Sequence, residues 1–186
     1  GGFSVERVKQ IVGEGYEELL KNILLLKPTT FKEQQISFYK LLKEIKTSKI
    51  GLIVIDGITM LYRLELAEAK QEKDEKKEIV KIKEINSKLA EQMRILAEIA
   101  RKKEIPVIVT NQVYSEFLSE EEFRAGKEKS VNMVGGDILK YWSKCIIELK
   151  NEKGKKKAII RKHRSLPEKE LQFEIIEKGV RKRGWI

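Results

Sequence analysis

The sequence predicts an α/β fold, with a mostly parallel sheet flanked by helices and a C-terminal antiparallel meander. Two nearly continuous apolar runs, Ile50 to Ile55 and Ile105 to Thr110, are typical of parallel strands that are covered on both faces. Between them, apolar residues recur at helical spacing from about Ile79 to Lys103. Strands that alternate with helices predict an open sheet with right-handed crossovers.

The first fifty residues predict three helices and one short strand. Ser4 is expected to cap the first helix, and a short second helix should follow Gly15. The run Ile23 to Leu26 predicts a brief buried strand, which ends at Lys27-Pro28. The third helix is predicted over Phe31 to Thr47, and its expected inward positions are Ile36, Leu41, Leu42 and Ile45.

The C-terminal third predicts a loop, one helical turn and the antiparallel meander. Ser115 to Met133 is charged and indicates a long loop, and Asp137 to Tyr141 indicates the turn. The predicted strands are Cys145 to Leu149, Ala158 to Arg161 and Leu171 to Ile176, with short connections that favour antiparallel pairing. The apolar setting of Cys145 predicts a buried structural thiol.

Length and charge limit the class of protein. The 186 residues, 41% of them hydrophobic, are predicted to form a single domain over 1–186. A net charge of +10 favours a polyanionic partner such as nucleic acid or an acidic membrane surface, although a well-solvated surface would give the same composition. No apolar run approaches the roughly 20 residues that cross a bilayer, and no signal peptide is recognised, so we expect no membrane association and a cytoplasmic location.

Polar residues follow both predicted parallel strands, where open α/β sheets bind their ligands. Asp56 ends the first strand and Asn111-Gln112 ends the second. The run Leu52 to Asp56 has the Walker B pattern, in which a buried strand presents one carboxylate to the magnesium of a bound nucleotide. Since an Asp also ends many parallel strands without such a role, the pattern alone leaves a purely structural Asp56 open.

Four segments in order resemble the RecA family of recombinases. Val107 to Val113 resembles the strand whose terminal Gln senses the terminal phosphate, and Asp56 to Arg63 resembles the strand exit into the first DNA-binding loop. Gly1 to Arg7 is similar to the segment after the catalytic glutamate, and Val134 to Asp137 to the glycine pair that closes the second DNA-binding loop. The resemblance implies a RecA-like P-loop ATPase core.

The resemblance also implies ATP and Mg²⁺ as cofactors and assigns roles to several residues. Asp56 would hold Mg²⁺ through water, Gln112 would sense the terminal phosphate, and Asn111 would contact the nucleotide. Within the family the chain looks most like the archaeal RadB group, because a basic cluster stands at Arg161 to Arg164. RadA and KaiC-like ATPases are neighbouring groups.

Lys162 and Arg164 of this cluster are candidate fingers that reach the nucleotide of an adjacent subunit in a homo-oligomer. Strand alternation would place both on one face, and the alternative is a solvated edge strand. His163 is the only histidine, so a histidine-based metal site has no second ligand.

The chain departs from the family in the phosphate-binding loop. No segment matches the Gly-rich Walker A loop, and the catalytic glutamate would stand immediately before Gly1. We expect that an upstream portion is missing from this sequence, with a vestigial nucleotide site as the alternative. As given, the chain is not expected to hydrolyse ATP unaided.

The resemblance implies two loops that bind single-stranded DNA without sequence preference. The first would run from Arg63 to about Glu78, with Arg63, Lys70 and Lys73 as DNA contacts that nearby acidic residues offset. The second would use Arg124, Lys127 and Lys129, and its Phe117 and Phe123 would either stack on bases or pack against the protein.

The predicted function is therefore that of an accessory protein of DNA repair and homologous recombination, associated with the nucleoid. It would assist a RadA-type recombinase, and a Holliday-junction resolvase is a further candidate partner. Two alternatives are a non-catalytic module that docks on a recombinase or resolvase, and a KaiC-like ATPase that acts on a protein.

Overall fold

The computed structural model of the chain describes residues 2–115 and 131–183, and the chain divides into two compact units. The central unit is Lys27–Trp142, and the terminal unit joins Gly1–Leu26 to Ser143–Ile186. The single domain expected over 1–186 stays a prediction. The elements of the described ranges are α1 (Val5–Val12), α2 (Tyr16–Lys21), α3 (Phe31–Thr47), β1 (Ile53–Ile55), α4 (Met60–Ala69), α5 (Glu75–Lys103), β2 (Val107–Val109), β3 (Val113–Ser115), β4 (Val131–Met133), α6 (Gly136–Trp142), β5 (Cys145–Glu152), β6 (Lys155–His163), β7 (Glu170–Ile176) and β8 (Gly179–Lys182).

The central unit contains a parallel pair of strands. β1 and β2 pair in register, with Ile55 opposite Val109, and α4 and α5 form the connection between them. The predicted α/β class with a parallel sheet is confirmed. The expectation that both faces are covered is wrong, because Val54 and Ile108 pair on a face that leaves them 55% and 53% exposed. Side chains alternate along a strand, so Ile53 faces the core while Val54 faces away from it.

The long helix α5 provides much of the core of the central unit. Ile85, Leu89, Met93 and Leu96, which recur at helical spacing, are buried, and Leu89 is completely inaccessible. The helix begins four residues earlier than predicted, because the side chain of Asp74 accepts hydrogen bonds from the backbone N–H groups of two first-turn residues.

Helix α3 has the predicted bounds of Phe31 to Thr47. The hydroxyl of Thr30 accepts from Glu33 N at 3.1 Å, and the Glu33 carboxylate accepts from Thr29 N at 2.8 Å, so side chains on both sides close this end of the helix. Of the expected inward residues, Ile45 is buried, and Leu41 and Leu42 pack partly against the core. Ile36 is exposed instead, since the buried stripe runs through Phe31, Gln34 and Phe38 and position 36 lies off that stripe.

The predicted long loop between Ser115 and Met133 is paired at its two ends. Val113 to Ser115 forms β3, which pairs antiparallel with β4 in the register Val113 to Met133. Residues 116–130 lie outside the described ranges. The helical turn expected after the glycine pair is confirmed as α6.

The terminal unit contains the predicted antiparallel meander. β5, β6, β7 and β8 pair in chain order, and the strand β8 was not predicted. At the other end of the chain, Ser4 caps α1 as expected by accepting from Arg7 N at 3.1 Å. The Arg7 guanidinium donates to Ile176 O at 3.0 Å and to Glu177 O at 2.9 Å, which holds α1 to the turn between β7 and β8.

Two predictions about this unit are wrong. Ile23 to Leu26 does not form a buried strand: its residues are exposed, and no strand of the described ranges pairs with them. An apolar run becomes a strand only where a neighbour completes its backbone hydrogen bonds. Cys145 is exposed rather than buried, because it opens β5 on the face opposite the half-buried Ile146. In the described ranges, no helix is both long and apolar enough to cross a membrane.

Candidate nucleotide site

The carboxyl ends of β1 and β2 bring Asp56 and Thr110 together. Because Ile55 pairs with Val109, the residues that follow them, Asp56 and Thr110, meet at the same edge of the sheet. The hydroxyl of Thr110 donates to Asp56 Oδ1 at 2.7 Å. Asp56 is exposed, so its carboxylate stands at the solvent-facing edge where α/β proteins bind ligands.

Thr110 contacts four consecutive residues at the exit of β1. Its N–H donates to Ile55 O at 2.9 Å, and its carbonyl accepts from Ile58 N at 3.2 Å. Its hydroxyl oxygen also accepts from Gly57 N at 2.7 Å. Thr110 was not predicted as a site residue, although a hydroxyl residue between a strand and the Asn111-Gln112 pair was a signal for it.

The turn after Asp56 depends on a left-handed glycine. Gly57 has φ of 76°, a conformation that residues with a Cβ adopt at a steric cost. The turn directs the Gly57 N–H towards Thr110 and leads to Thr59, which is only 1% exposed.

The side chain of Asn111 is held by the protein at both of its polar atoms. The Thr59 hydroxyl hydrogen-bonds to Asn111 Oδ1, and Asn111 Nδ2 donates to Val134 O at 2.8 Å. Asn111 therefore ties the exit of β1 to the segment after β4. Its predicted contact with a nucleotide stays a prediction, and a contact through the carboxamide would compete with these two bonds.

Gln112 is exposed and lies two residues beyond Thr110. Its side-chain oxygen Oε1 accepts from Arg63 Nη1 at 3.0 Å, and its backbone carbonyl accepts from Val134 N at 3.1 Å. A predicted phosphate sensor and a predicted DNA contact are thus hydrogen-bonded to each other.

The stretch predicted as a loop from Arg63 to about Glu78 is helical for most of its length, so the loop conformation is wrong, whereas its role in DNA binding stays a prediction. Residues 60–69 form α4, α5 begins at Glu75, and only a short turn separates the two helices. Tyr62 fixes α4 against the core, since its ring is buried and its hydroxyl donates to Asn86 Oδ1 at 2.7 Å. Burial raises the pKa of the Tyr62 hydroxyl. Arg63 therefore projects from a helix, Lys70 follows that helix, and Lys73 lies in the turn.

Acidic residues of this turn are engaged by other groups. The Glu72 carboxylate pairs with Lys81 Nζ at 2.6 Å, and this hydrogen bond lowers the pKa of Glu72. Asp74 caps α5 through Lys76 N at 3.0 Å. Within the described ranges, Lys70 and Lys73 are exposed and form no ion pair. The other predicted DNA contacts, Arg124, Lys127 and Lys129, lie outside those ranges, as do Phe117 and Phe123.

Lys162 and Arg164 belong to the terminal unit and differ in their backbone setting. Lys162 is in β6 opposite Ile146, but the strand ends at His163 and Arg164 follows in a bend. His163 Nδ1 accepts from Ser165 N at 3.1 Å and Leu166 N at 3.0 Å, which stabilises the bend. Strand alternation does not extend to Arg164, so the expectation of one shared strand face is wrong.

Asp56 fits one requirement of a Mg²⁺ site that depends on a nucleotide. Mg²⁺ is commonly held by one or two carboxylates together with water and phosphate oxygens, rather than by a cage of protein ligands. Thr110 occupies Oδ1 of Asp56, while Oδ2 has no hydrogen-bond partner in the described part of the chain. In that same part, no group of three or more His, Cys, Asp or Glu residues is arranged to hold a metal ion. A single carboxylate that shares Mg²⁺ with phosphate is the arrangement that these residues could support.

Known proteins match this chain over nearly its whole length. A family model described as Rad51 matches residues 1–183. The DNA repair and recombination protein RadB of Methanococcus maripaludis (strain C7) is 37% identical over 181 residues, which are 97% of this chain and 74% of the relative. RadB of Methanobrevibacter smithii is 36% identical over 185 residues, with coverage of 97% and 71%, and RadB of Methanocaldococcus jannaschii is 37% identical over 180 residues, with coverage of 97% and 75%. The chain belongs to the Rad51 family of RecA-like proteins.

Proposed function

We propose that this Rad51-family protein works in DNA repair and recombination as an accessory protein that binds ATP, Mg²⁺ and single-stranded DNA. Its relatives carry the name DNA repair and recombination protein RadB, and they cover nearly the whole chain. A RadA-type recombinase is the proposed partner, and a Holliday-junction resolvase is a further candidate.

One arrangement carries the nucleotide part of the proposal. Asp56 and Gln112 stand at the same carboxyl edge of two adjacent parallel strands, and Thr110 connects these strand ends. ATP with Mg²⁺ supplies a metal-bound polyphosphate whose terminal phosphate can be transferred to water. Asp56 would bind the metal through water. Gln112 would donate its amide N–H to the terminal phosphate. Its side-chain oxygen could keep the hydrogen bond from Arg63 at the same time, because the oxygen and the amide nitrogen are separate atoms.

The DNA part of the proposal rests on cations that form no ion pair within the described part of the chain. Lys70 follows α4, Lys73 lies in the short turn after it, and Arg63 lies on α4 itself. Together with the net charge of +10, they support contacts with the phosphate backbone, which are independent of sequence. Lys162 and Arg164 are proposed to reach the nucleotide of a neighbouring subunit in a homo-oligomer, and binding to DNA would place the protein at the nucleoid.

The nucleotide part is tested by titrating the full-length protein with a fluorescent ATP analogue, with Mg²⁺ and with EDTA. Asp56→Ala should remove the gain in affinity that Mg²⁺ provides, and Gln112→Ala should reduce the preference for ATP over ADP. Glu84→Ala is the matched control, because Glu84 is an exposed carboxylate on α5 away from the strand ends. Normal Mg²⁺-dependent affinity in Asp56→Ala would contradict the metal role.

The DNA part is tested by measuring affinity for single-stranded DNA as a function of salt. Each phosphate contact contributes about 0.7 to the slope of log K against log salt, so Lys70→Ala with Lys73→Ala should reduce the slope by about 1.4. Lys43→Ala with Lys46→Ala on α3 removes the same charge elsewhere. Equal losses in both double variants would show that only net charge matters. Absent DNA affinity combined with ring-shaped oligomers would favour a KaiC-like ATPase.

A further inference from the structure

We propose that Thr110 is a positioning residue that orients Asp56 for Mg²⁺. This role rests on the proposed binding of ATP and Mg²⁺. The motivating observation is that the Thr110 hydroxyl makes short contacts with the carboxylate of Asp56 and with the backbone of the next residue, both at 2.7 Å.

The direction of both hydrogen bonds follows from the chemistry of the groups. The Gly57 N–H can only donate, so the hydroxyl oxygen of Thr110 accepts from it. The single hydroxyl proton is then directed to Asp56 Oδ1, which as part of an ionised carboxylate can only accept. A hydrogen bond to a charged acceptor is stronger than one between neutral groups, so this contact favours one orientation of the carboxylate.

The backbone of Thr110 fixes the place from which the hydroxyl acts. Its N–H and its carbonyl bond to Ile55 O and Ile58 N, one on each side of the Asp56-Gly57 peptide. A threonine held at both backbone groups next to the carboxylate presents its hydroxyl in one position. The β-branched side chain adds to this, because its χ1 rotation is restricted.

The Thr110 hydroxyl leaves the Asp56 carboxylate with one oxygen restrained and the other available to the metal. An exposed Asp loses rotamer freedom when it binds a ligand, and this loss weakens binding. The Thr110 hydroxyl restrains Oδ1 before the ligand arrives and leaves Oδ2 for the hydration shell of Mg²⁺. Loss of the hydroxyl should therefore weaken the effect of Mg²⁺ without weakening nucleotide contacts that do not involve the metal.

Two substitutions separate the hydroxyl from the shape of the side chain. Thr110→Val keeps the branched shape and removes the hydroxyl, and Thr110→Ser keeps the hydroxyl and removes the methyl group. In the full-length protein, the Mg²⁺ concentration that gives half-maximal binding of a fluorescent ATP analogue should rise about tenfold in Thr110→Val. It should remain near the wild-type value in Thr110→Ser. Binding of the analogue in EDTA should be the same in all three proteins.

Hydrogen exchange provides a readout without nucleotide. The Gly57 amide should exchange faster in Thr110→Val than in wild type, because it has lost its acceptor, and Thr110→Ser should retain the protection. Faster exchange together with an unchanged Mg²⁺ requirement would overturn the positioning role, as would a valine variant that matches wild type in both measurements.

Asp56→Ala distinguishes failure of the positioning role from failure of the proposed function. If Asp56→Ala weakens Mg²⁺-dependent binding but Thr110→Val does not, only the positioning role is overturned. If Asp56→Ala retains the wild-type Mg²⁺ dependence, the metal role of Asp56 is overturned, and the positioning role falls with it.

Discussion

Arg63 and Gln112 are joined by a hydrogen bond of 3.0 Å from the guanidinium Nη1 to the side-chain oxygen Oε1. The first residue projects from α4 and the second follows β2, so one exposed contact links a helix to the end of a strand. If the Gln112 side chain reorients, either the hydrogen bond breaks or the Arg63 side chain moves with it. A ligand that draws Arg63 away must release Gln112.

The interaction free energy between Arg63 and Gln112 can be measured with a double-mutant cycle. Arg63→Ala, Gln112→Ala and the double variant should show a coupling of about 0.5 to 1 kcal/mol in urea unfolding, which is modest because both side chains are exposed. Coupling free energies that vanish within about 0.3 kcal/mol would contradict the contact.

Gly135 should tolerate alanine poorly. Its φ is 71°, and a Cβ there would stand 3.1 Å from Leu89 Cδ2 and 3.3 Å from Thr59 Cγ2, both on buried residues. Backbone strain and crowding together should cost about 2 to 4 kcal/mol in the free energy of unfolding. Gly154→Ala is the matched control, since φ is 79° with open space around it, and only the backbone cost of about 1 to 2 kcal/mol applies. Equal costs at both glycines would contradict the crowding.

The buried amides of Gln34 and Gln92 should respond unequally to replacement. Gln34 Nε2 donates to Ile58 O at 3.1 Å and to Gln92 Oε1 at 2.7 Å, whereas Gln92 Nε2 is buried and has no hydrogen-bond partner in the described ranges. Gln34→Leu leaves two buried acceptors without a donor and should destabilise by about 1 to 3 kcal/mol. Gln92→Leu removes the unpartnered donor and should cost less than about 1 kcal/mol. Chemical denaturation checks both values, and the reverse order would contradict this account.

Glu33 should make stability depend on pH. Hydrogen bonds from the backbone N–H and the hydroxyl of Thr29 lower the pKa of its carboxyl group in the folded protein. Its contribution is fully present above the pKa of an unfolded glutamate, about 4.3, and is lost as pH falls through the lower folded value. Glu33→Gln should therefore have a lower melting temperature than wild type at pH 7, and the difference should shrink towards pH 3. The exposed Glu84→Gln serves as control, and a constant difference at all pH values would point to a cause other than ionisation.

Local sequence signals predicted the described helices other than α4. Ser4 indicated the start of α1, the apolar spacing over Phe31 to Thr47 indicated α3, and the apolar spacing from about Ile79 to Lys103 indicated α5. These signals succeed because capping and helical spacing involve neighbours in the chain. Three strands of the meander, β5, β6 and β7, were predicted for the same reason, since short connections join them.

Signals that depend on distant residues were misleading. The apolar run Ile23 to Leu26 and the apolar setting of Cys145 do not show which residues will cover them, and in the structure Cys145 and the residues of that run are exposed. The resemblance to the RecA family implied a loop after Arg63, but the burial of Tyr62 and its hydrogen bond to Asn86 hold residues 60–69 as a helix. The contact of Thr110 with Asp56 joins residues 54 positions apart, and only the pairing of the two strands reveals it.

The in-register pairing of Ile55 with Val109 has a consequence for how relatives of this chain can differ in length. A residue inserted between Ile53 and Asp56, or between Val107 and Thr110, would turn the following side chains to the opposite face and separate the carboxylate from the hydroxyl. A residue added in the short turn between α4 and α5 would leave both strand ends as they are. Insertions and deletions that preserve the site are therefore expected in that turn, whereas the spacing within each strand should be invariant.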